Sequence, residues 1–120
     1  MTRIKETSTN YINKQALADE CAEVYAANII GGQWGLVICC WLINGKLRFG
    51  ELKKLIPNIT ERMLSIHLRK LEENKIIKRT VYAEVPPRVE YELTPIGEEL
   101  KPIFKYLEIW GAKHRQLREQ

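Results

Sequence analysis

The stretch TERMLSIHLRKLEEN, residues 60–74, decides the fold. Thr60 has the side chain of a good helix N-cap. Leucine then recurs at the spacing of one helix face, at Leu64, Leu68 and Leu71. The intervening positions are mostly polar or basic. The pattern therefore predicts an amphipathic helix that buries its leucines and presents cations on its other side.

After this helix the hydrophobic period changes to two, which is typical of β-strands. Residues 77–82 and 88–93 alternate in this way and are rich in β-branched and aromatic side chains. Residues 83–87 lie between them and include Pro86 and Pro87, which cannot donate ladder hydrogen bonds. The sequence predicts a hairpin with a stiff, extended tip.

On both sides of this unit the sequence predicts further helices. They are expected over residues 15–30, 34–43 and 49–56, with a brief strand over 47–49 and a last helix from Thr94–Pro95 to about Leu117. Gly31–Gly32 ends the first helix, and proline suits the first turn of the last one. The fold class is therefore mainly α (α+β): a winged helix-turn-helix with a two-stranded β wing and N- and C-terminal dimerisation helices. Residues 1–14 are expected to be a flexible segment and residues 15–117 a single domain.

Size and composition limit the function. The chain has 120 residues, of which 45% are hydrophobic and 28% charged. We expect a cytoplasmic protein without membrane contact, since no apolar run approaches bilayer length and residues 1–14 lack the apolar core of a secretion signal. Three cysteines without framework spacing and two distant histidines favour neither disulfides nor a metal site, and no cofactor is expected.

Positive charge is concentrated in the middle of the chain. Residues 46–82 carry ten basic and four acidic side chains, a balance of +6, whereas both flanks are near neutral. Such a basic centre is the footprint of a phosphate-binding surface or, alternatively, a solvated face of mixed charge.

The polar side of the helix over residues 60–74 is the candidate DNA-reading surface. Arg62, Ser65, Ile66 and Arg69 share one face, and Arg62 lies in the first turn, where this class of helix meets base edges. An arginine can form two parallel hydrogen bonds with guanine, and Ile66 can touch a thymine methyl group. The alternative for both arginines is a solvated surface paired with nearby glutamates. The full set of candidate DNA contacts is Thr60, Arg62, Met63, Ser65, Ile66, Arg69, Arg88 at the wing tip, and the phosphate candidates Lys53, Lys54 and Lys70.

The last helix carries a heptad-like seam. Its members are Ile96, Leu100, Ile103, Leu107 and Trp110, with Phe104 and Tyr106 as additions. Since one small domain offers little surface for so long a helix, the seam predicts a homodimer to which the first helix also contributes. An inverted-repeat operator on double-stranded DNA follows from two-fold symmetry.

Several motifs, taken in order, resemble the HxlR family of winged-helix regulators, relatives of the MarR-type repressors. They are GGQW at 31–34, LRFGEL at 47–52, ITERML at 59–64, LRKLE at 68–72 and YAEVPPRVEYELT at 82–94. The resemblance covers about residues 21–111. It implies a bacterial-type dimeric regulator in which the helix over residues 60–74 reads DNA and the terminal helices form the dimer.

The resemblance also points to Cys21, which occupies the place of a cysteine that some family members use to sense oxidants or electrophiles. Asp19, Glu20 and Glu23 surround it, and acidic neighbours disfavour a thiolate. If the helix begins near Gln15, Cys21 also lies beyond its first turn. A redox role and an inert, buried cysteine both remain open. The chain departs from the family pattern at three positions: Ala22 replaces the usual proline, Gln33 the usual lysine, and Gly35 a commonly larger polar residue.

Two other functions are weighed against DNA binding. A winged helix can serve as a protein-binding module, but such a module needs no cations on its recognition helix. An enzyme would need a phosphate loop, a carboxylate pair or an activated nucleophile, and the sequence contains none of these patterns.

Overall fold

The computed structural model describes residue 16 and residues 19–120. Its helices are α1 (Ala22–Ile30), α2 (Gly32–Leu42), α3 (Phe49–Leu55), α4 (Glu61–Glu73), α5 (Pro95–Glu98) and α6 (Leu100–Arg118), and its strands are β1 (Leu47–Arg48), β2 (Ile77–Tyr82) and β3 (Arg88–Leu93). This order confirms the predicted winged helix-turn-helix. The segment expected to be flexible, residues 1–14, lies outside the described residues.

The first predicted helix is interrupted. Asp19 and Glu20 are helical, but Cys21 is extended, with φ −129° and ψ 110°, and α1 begins only at Ala22. The prediction of a continuous helix through Cys21 was therefore wrong. Because the side chain of Cys21 makes no capping hydrogen bond, this end of α1 lacks a strong local start signal.

Helices α1 and α2 meet at a sharp corner. Gly31 has φ 81° and Gly32 has φ 77°, left-handed values that L side chains rarely adopt. The backbone N–H of Gly31 donates to the carbonyl oxygen of Ala27 and closes α1. No single helix among the described residues is long and apolar enough to cross a membrane; α1 and α2 reach that length only together, across a bend of 77°.

The hydrophobic core lies between α2, α3, α4 and the sheet. Helix α2 is central and buries Ile38, Cys39 and Leu42. Its outer side is open, since Cys40 and Trp41 are exposed. Full burial of such aliphatic side chains stabilises a fold by roughly 1.5–3 kcal/mol each. The core therefore holds α2 and α4 together as one unit.

The sheet has three antiparallel strands in the order β1-β3-β2. The hairpin pairs Tyr82 with Arg88 and Ile77 with Leu93. The predicted two-stranded wing thus gains a third strand, because Leu47 pairs with Tyr91. This pairing ties the wing to the start of α3.

The last predicted helix is divided into α5 and α6. Thr94 caps α5, its hydroxyl oxygen accepting a hydrogen bond from the backbone N–H of Gly97. The break at Glu99 was not predicted, and Pro102 gives its physical reason. Proline lacks the N–H that would bond the carbonyl of Glu98, and its ring clashes with that carbonyl.

Candidate nucleic-acid interface

Helix α4 is anchored by both its cap and its leucines. The hydroxyl oxygen of Thr60 accepts a hydrogen bond from the backbone N–H of Met63 at 3.0 Å. Leu64, Leu68 and Leu71 are all 2% exposed or less. The predicted buried face is therefore confirmed, and the helix is held rigidly enough to present its other face.

The opposite face of α4 is open to solvent. Arg62, Ser65, Ile66 and Arg69 are all exposed, in agreement with their predicted helical spacing. Among the described residues neither arginine forms an ion pair, so the predicted alternative of pairing with neighbouring glutamates is not observed. Both guanidinium groups are available to an external acceptor.

Two first-turn candidates have roles within the chain. The Thr60 hydroxyl is engaged as the cap, and Met63 is half-buried and packs against the core. His67, also half-buried, lies on the same flank as Met63. Burial and the nearby Lys70 lower the pKa of His67, so its imidazole is neutral at neutral pH. Of the predicted contacts in and before the first turn of α4, Arg62 is therefore the one whose side chain has no role within the described part of the chain.

A groove of about 360 Å³ between α4 and the sheet brings together two arginines. Ser65 and Arg69 line it from the helix, and Arg79 lines it from β2, with Glu72 also present. Arg79 is not among the DNA contacts predicted from the sequence, because its approach to Arg69 depends on how the sheet packs against α4. In the sheet it pairs with Tyr91, which also lines the groove. Two cations on separate elements can hold one phosphate oxygen between them.

The wing arginine is held by its own hairpin. Arg88 lies 3.2 Å from a carboxylate oxygen of Glu84 and 3.5 Å from one of Glu90. Its Cζ atom is 4.1 Å from the centre of the Tyr82 ring, a cation–π contact. Three intrachain partners therefore compete with the predicted DNA contact, whereas Val85 at the tip is fully exposed.

The remaining lysine candidates differ in exposure. Lys70 and Lys54 are exposed, and Lys53 is half-buried at the end of α3. Their positions suit contacts with the phosphate backbone, which fix register and carry no sequence information.

The predicted seam, which begins on α5 and continues along α6, is largely exposed among the described residues. Ile96 is 59% exposed, Ile103 50%, Leu107 49% and Trp110 64%. Leu100 instead packs against the core, and Phe104 is only 6% exposed. The suggestion that Phe104 adds to an intersubunit surface was therefore wrong, since its ring belongs to the core. Tyr106 and Leu117 extend the exposed surface.

The three cysteines occupy different environments. Cys39 is fully buried, and burial raises its pKa to about 12. Cys40 is exposed, and Cys21 is half-buried. No cluster of three potential metal ligands occurs among residues 16 and 19–120.

The sequence profile of the HxlR-like helix-turn-helix family matches residues 29–119. The chain is 52% identical over 86 residues to the HTH-type transcriptional regulator YtcD of Bacillus subtilis, a match that covers 72% of this chain and 68% of YtcD. It is 45% identical over 95 residues to the regulator YdeP of the same organism, covering 79% of this chain and 74% of YdeP.

The fold of the chain is also similar to that of a solved regulator structure. The redox regulator HypR in its reduced form is similar with a TM-score of 0.78 and 40% sequence identity. The match covers 82% of this chain and 98% of HypR. Sequence and fold therefore point to the same group of proteins.

Proposed function

The chain belongs to the HxlR-like helix-turn-helix family of transcription regulators, and on that premise we propose that it acts as a homodimer on an inverted-repeat operator read by α4. The observation that carries this proposal is the arrangement of α4. Its leucines are anchored in the core, while Arg62 and Arg69 stand exposed and have no ion pair among the described residues.

The individual contacts follow from chemistry and position. Arg62 reads a guanine in the major groove, and Ile66 contacts a neighbouring base edge. Arg69 and Arg79 hold a phosphate between α4 and the sheet, and Lys53, Lys54 and Lys70 add weaker phosphate contacts. Arg88 stiffens the wing through its contacts with Glu84 and Glu90.

The second copy is proposed to cover the exposed seam that runs from Ile96 of α5 along α6. Four apolar side chains of this seam are about half exposed or more, an arrangement costly in water. Trp110 stacks on His114 with ring centres 5.2 Å apart. This contact restricts the tryptophan side chain, a residue type that is common at the centre of interfaces. Two-fold pairing here places the two α4 helices on half-sites whose centres lie roughly 34–36 Å apart.

We also propose that the protein responds to oxidants through Cys21. The likeness to HypR, a redox regulator, supports it. Cys21 is the N-cap of α1, so it lies beside backbone N–H groups that have no partner within the helix, and such groups favour anions. Glu23 in the first turn opposes this effect.

The test is binding of the purified protein to the DNA beside its own gene, followed by fluorescence anisotropy across a salt series. Tight binding that weakens steeply with salt and exceeds binding to random duplex is expected, since phosphate contacts release counterions. Equal, weak binding to every duplex at low salt would overturn the proposal and favour a protein-binding winged helix.

The redox part is tested in the same assay with diamide as the oxidant. We expect oxidation to change the affinity of the parent protein and of Cys40→Ser, the matched control, but not that of Cys21→Ser. If oxidation leaves the parent unchanged, Cys21 has only a structural role and the DNA-binding proposal stands without it.

A further inference from the structure

An open groove of about 680 Å³ lies between α2 and α6. Leu36, Cys40 and Ile43 form its wall on α2, at steps of four and three along one side of the helix. Phe104 and Leu107 contribute apolar surface from α6. Its volume is within the range of small-molecule sites, roughly 300–1,000 Å³.

The rim of the groove carries an uncompensated positive charge. Lys101, Lys105 and Glu108 all line it from α6. The Nζ atom of Lys105 lies 3.2 Å from a carboxylate oxygen of Glu108, so these two charges offset each other. Lys101 forms no ion pair among the described residues. The groove therefore combines an apolar floor with a lysine, Lys101, that no carboxylate of residues 16 and 19–120 pairs with.

The thiol of Cys40, which also lines the groove, does not change the net positive charge at the rim. Partial desolvation of the sulfur against the groove and the nearby Glu108 raise the pKa of Cys40. Its side chain is therefore a neutral thiol at neutral pH, which behaves as a small, weakly polar surface and does not repel an anion.

We propose that this groove binds an amphiphilic carboxylate, with the apolar body against Leu36, Ile43 and Leu107 and the carboxylate beside Lys101. The ligand site goes beyond DNA recognition and does not depend on it. Since α2 also packs against α4, an occupant would lie one helix away from the DNA-reading surface.

The proposed dimer surface leaves this groove open. At 3.6 residues per turn, Ile103, Tyr106 and Trp110 lie on one side of α6, and Lys101 and Lys105 lie on roughly the opposite side. Only Leu107 belongs to both surfaces. A second copy seated on the seam therefore does not fill the groove.

Alkylation of Cys40 by N-ethylmaleimide measures occupancy without DNA. Peptide fragmentation separates Cys40 from the adjacent Cys39, which is fully buried and serves as an unreactive internal reference. Naphthoate is the probe, and naphthamide is its neutral counterpart. Lys101→Ala tests the cation, and Lys113→Ala, an exposed lysine of α6 that does not line the groove, is the matched control.

We expect naphthoate to slow the alkylation of Cys40 in a saturable manner in the parent protein and in Lys113→Ala. Lys101→Ala is expected to weaken the apparent affinity about three- to fivefold, the effect of losing a partly exposed ion pair. Three results would overturn the proposal: no protection by naphthoate, equal protection by naphthamide and in Lys101→Ala, or protection that rises with protein concentration alone, which would place a second copy in the groove.

Discussion

Helices α4 and α6 both have an apolar and a polar side, but the described residues cover the apolar side of only one of them. The leucines of α4 are at most 2% exposed, whereas Ile103, Leu107 and Trp110 of α6 are 49–64% exposed. The difference teaches that amphipathicity alone does not identify a helix's partner. For α4 the partner is the chain's own core, whereas none of the described residues covers the apolar side of α6.

The largest effect is expected from breaking the anchored side of α4. Leu68→Ala removes a fully buried side chain and should lower the free energy of unfolding by about 2–5 kcal/mol. Urea denaturation followed by circular dichroism measures this loss. Ile66→Ala, on the exposed side of the same helix, is the control and should change stability by about 0.5 kcal/mol or less. Equal losses would show that both faces of α4 are covered.

The corresponding change on α6 should affect association and leave the fold intact. Trp110→Ala removes an exposed aromatic side chain and should weaken self-association roughly thirtyfold, the effect of losing about 2 kcal/mol at an interface centre. Sedimentation equilibrium measures the dimer fraction, and Lys113→Ala controls for changes at the exposed end of the helix. An unchanged dimer would assign the seam to another partner.

Replacing the two arginines of α4 separates base reading from phosphate binding. Arg62→Ala should lose about 1–3 kcal/mol of discrimination at one operator position. Arg69→Ala should weaken binding to all sequences and reduce the slope of log affinity against log salt by about 1. Anisotropy titrations on a set of single-base operator variants measure both. If Arg62→Ala weakens all duplexes equally, Arg62 contacts phosphate only.

The wing arginine should matter less, because its charge is already engaged by Glu84 and Glu90. Arg88→Ala should cost less than about 1 kcal/mol of stability, the usual contribution of a partly exposed ion pair. Its effect on DNA affinity should be smaller than that of Arg62→Ala in the same titration. A loss as large as that of Arg62→Ala would mean that Arg88 exchanges its carboxylates for DNA.

The smallest effect concerns pH. Burial and Lys70 lower the pKa of His67 below its ordinary value of 6.5, so the folded state favours the neutral imidazole. The contribution of His67 to the free energy of unfolding is complete above pH 6.5 and is lost as the pH falls through the folded pKa. The urea midpoint of the parent protein should therefore decrease as the pH is lowered from 7 through the folded pKa. The midpoint of His67→Gln should decrease less over the same interval. Parallel curves would show that other groups cause the change.

The sequence predicted α4 and the hairpin correctly because their signals are local. Thr60, the leucine spacing and the alternating strands each specify their own element within a few residues. The break at Glu99 also had a local signal, Pro102. It was not predicted because the spacing of the hydrophobic seam continues across it and indicates a single helix. The extended backbone at Cys21 had no comparable signal, since the flanking residues fit a helix equally well.

The side-chain environments were harder to predict than the elements. The pairing of Arg88 depends on the hairpin register, which places it opposite Tyr82 and near Glu90. The approach of Arg79 to Arg69 depends on how the sheet packs against α4. A linear pattern shows that a residue is exposed, but the neighbour across a groove is determined by tertiary packing. For this reason exposure on α4 was predictable, whereas the two-arginine groove was not.

The corner between α1 and α2 also depends on a position inside α2. A Cβ atom at Gly35 would overlap the carbonyl oxygen of Ile30, so this backbone admits only glycine there. A larger side chain at position 35 would have to push that carbonyl, and the end of α1 with it, away from α2. The bend of 77° between the two helices therefore depends on the absence of a side chain at this one position.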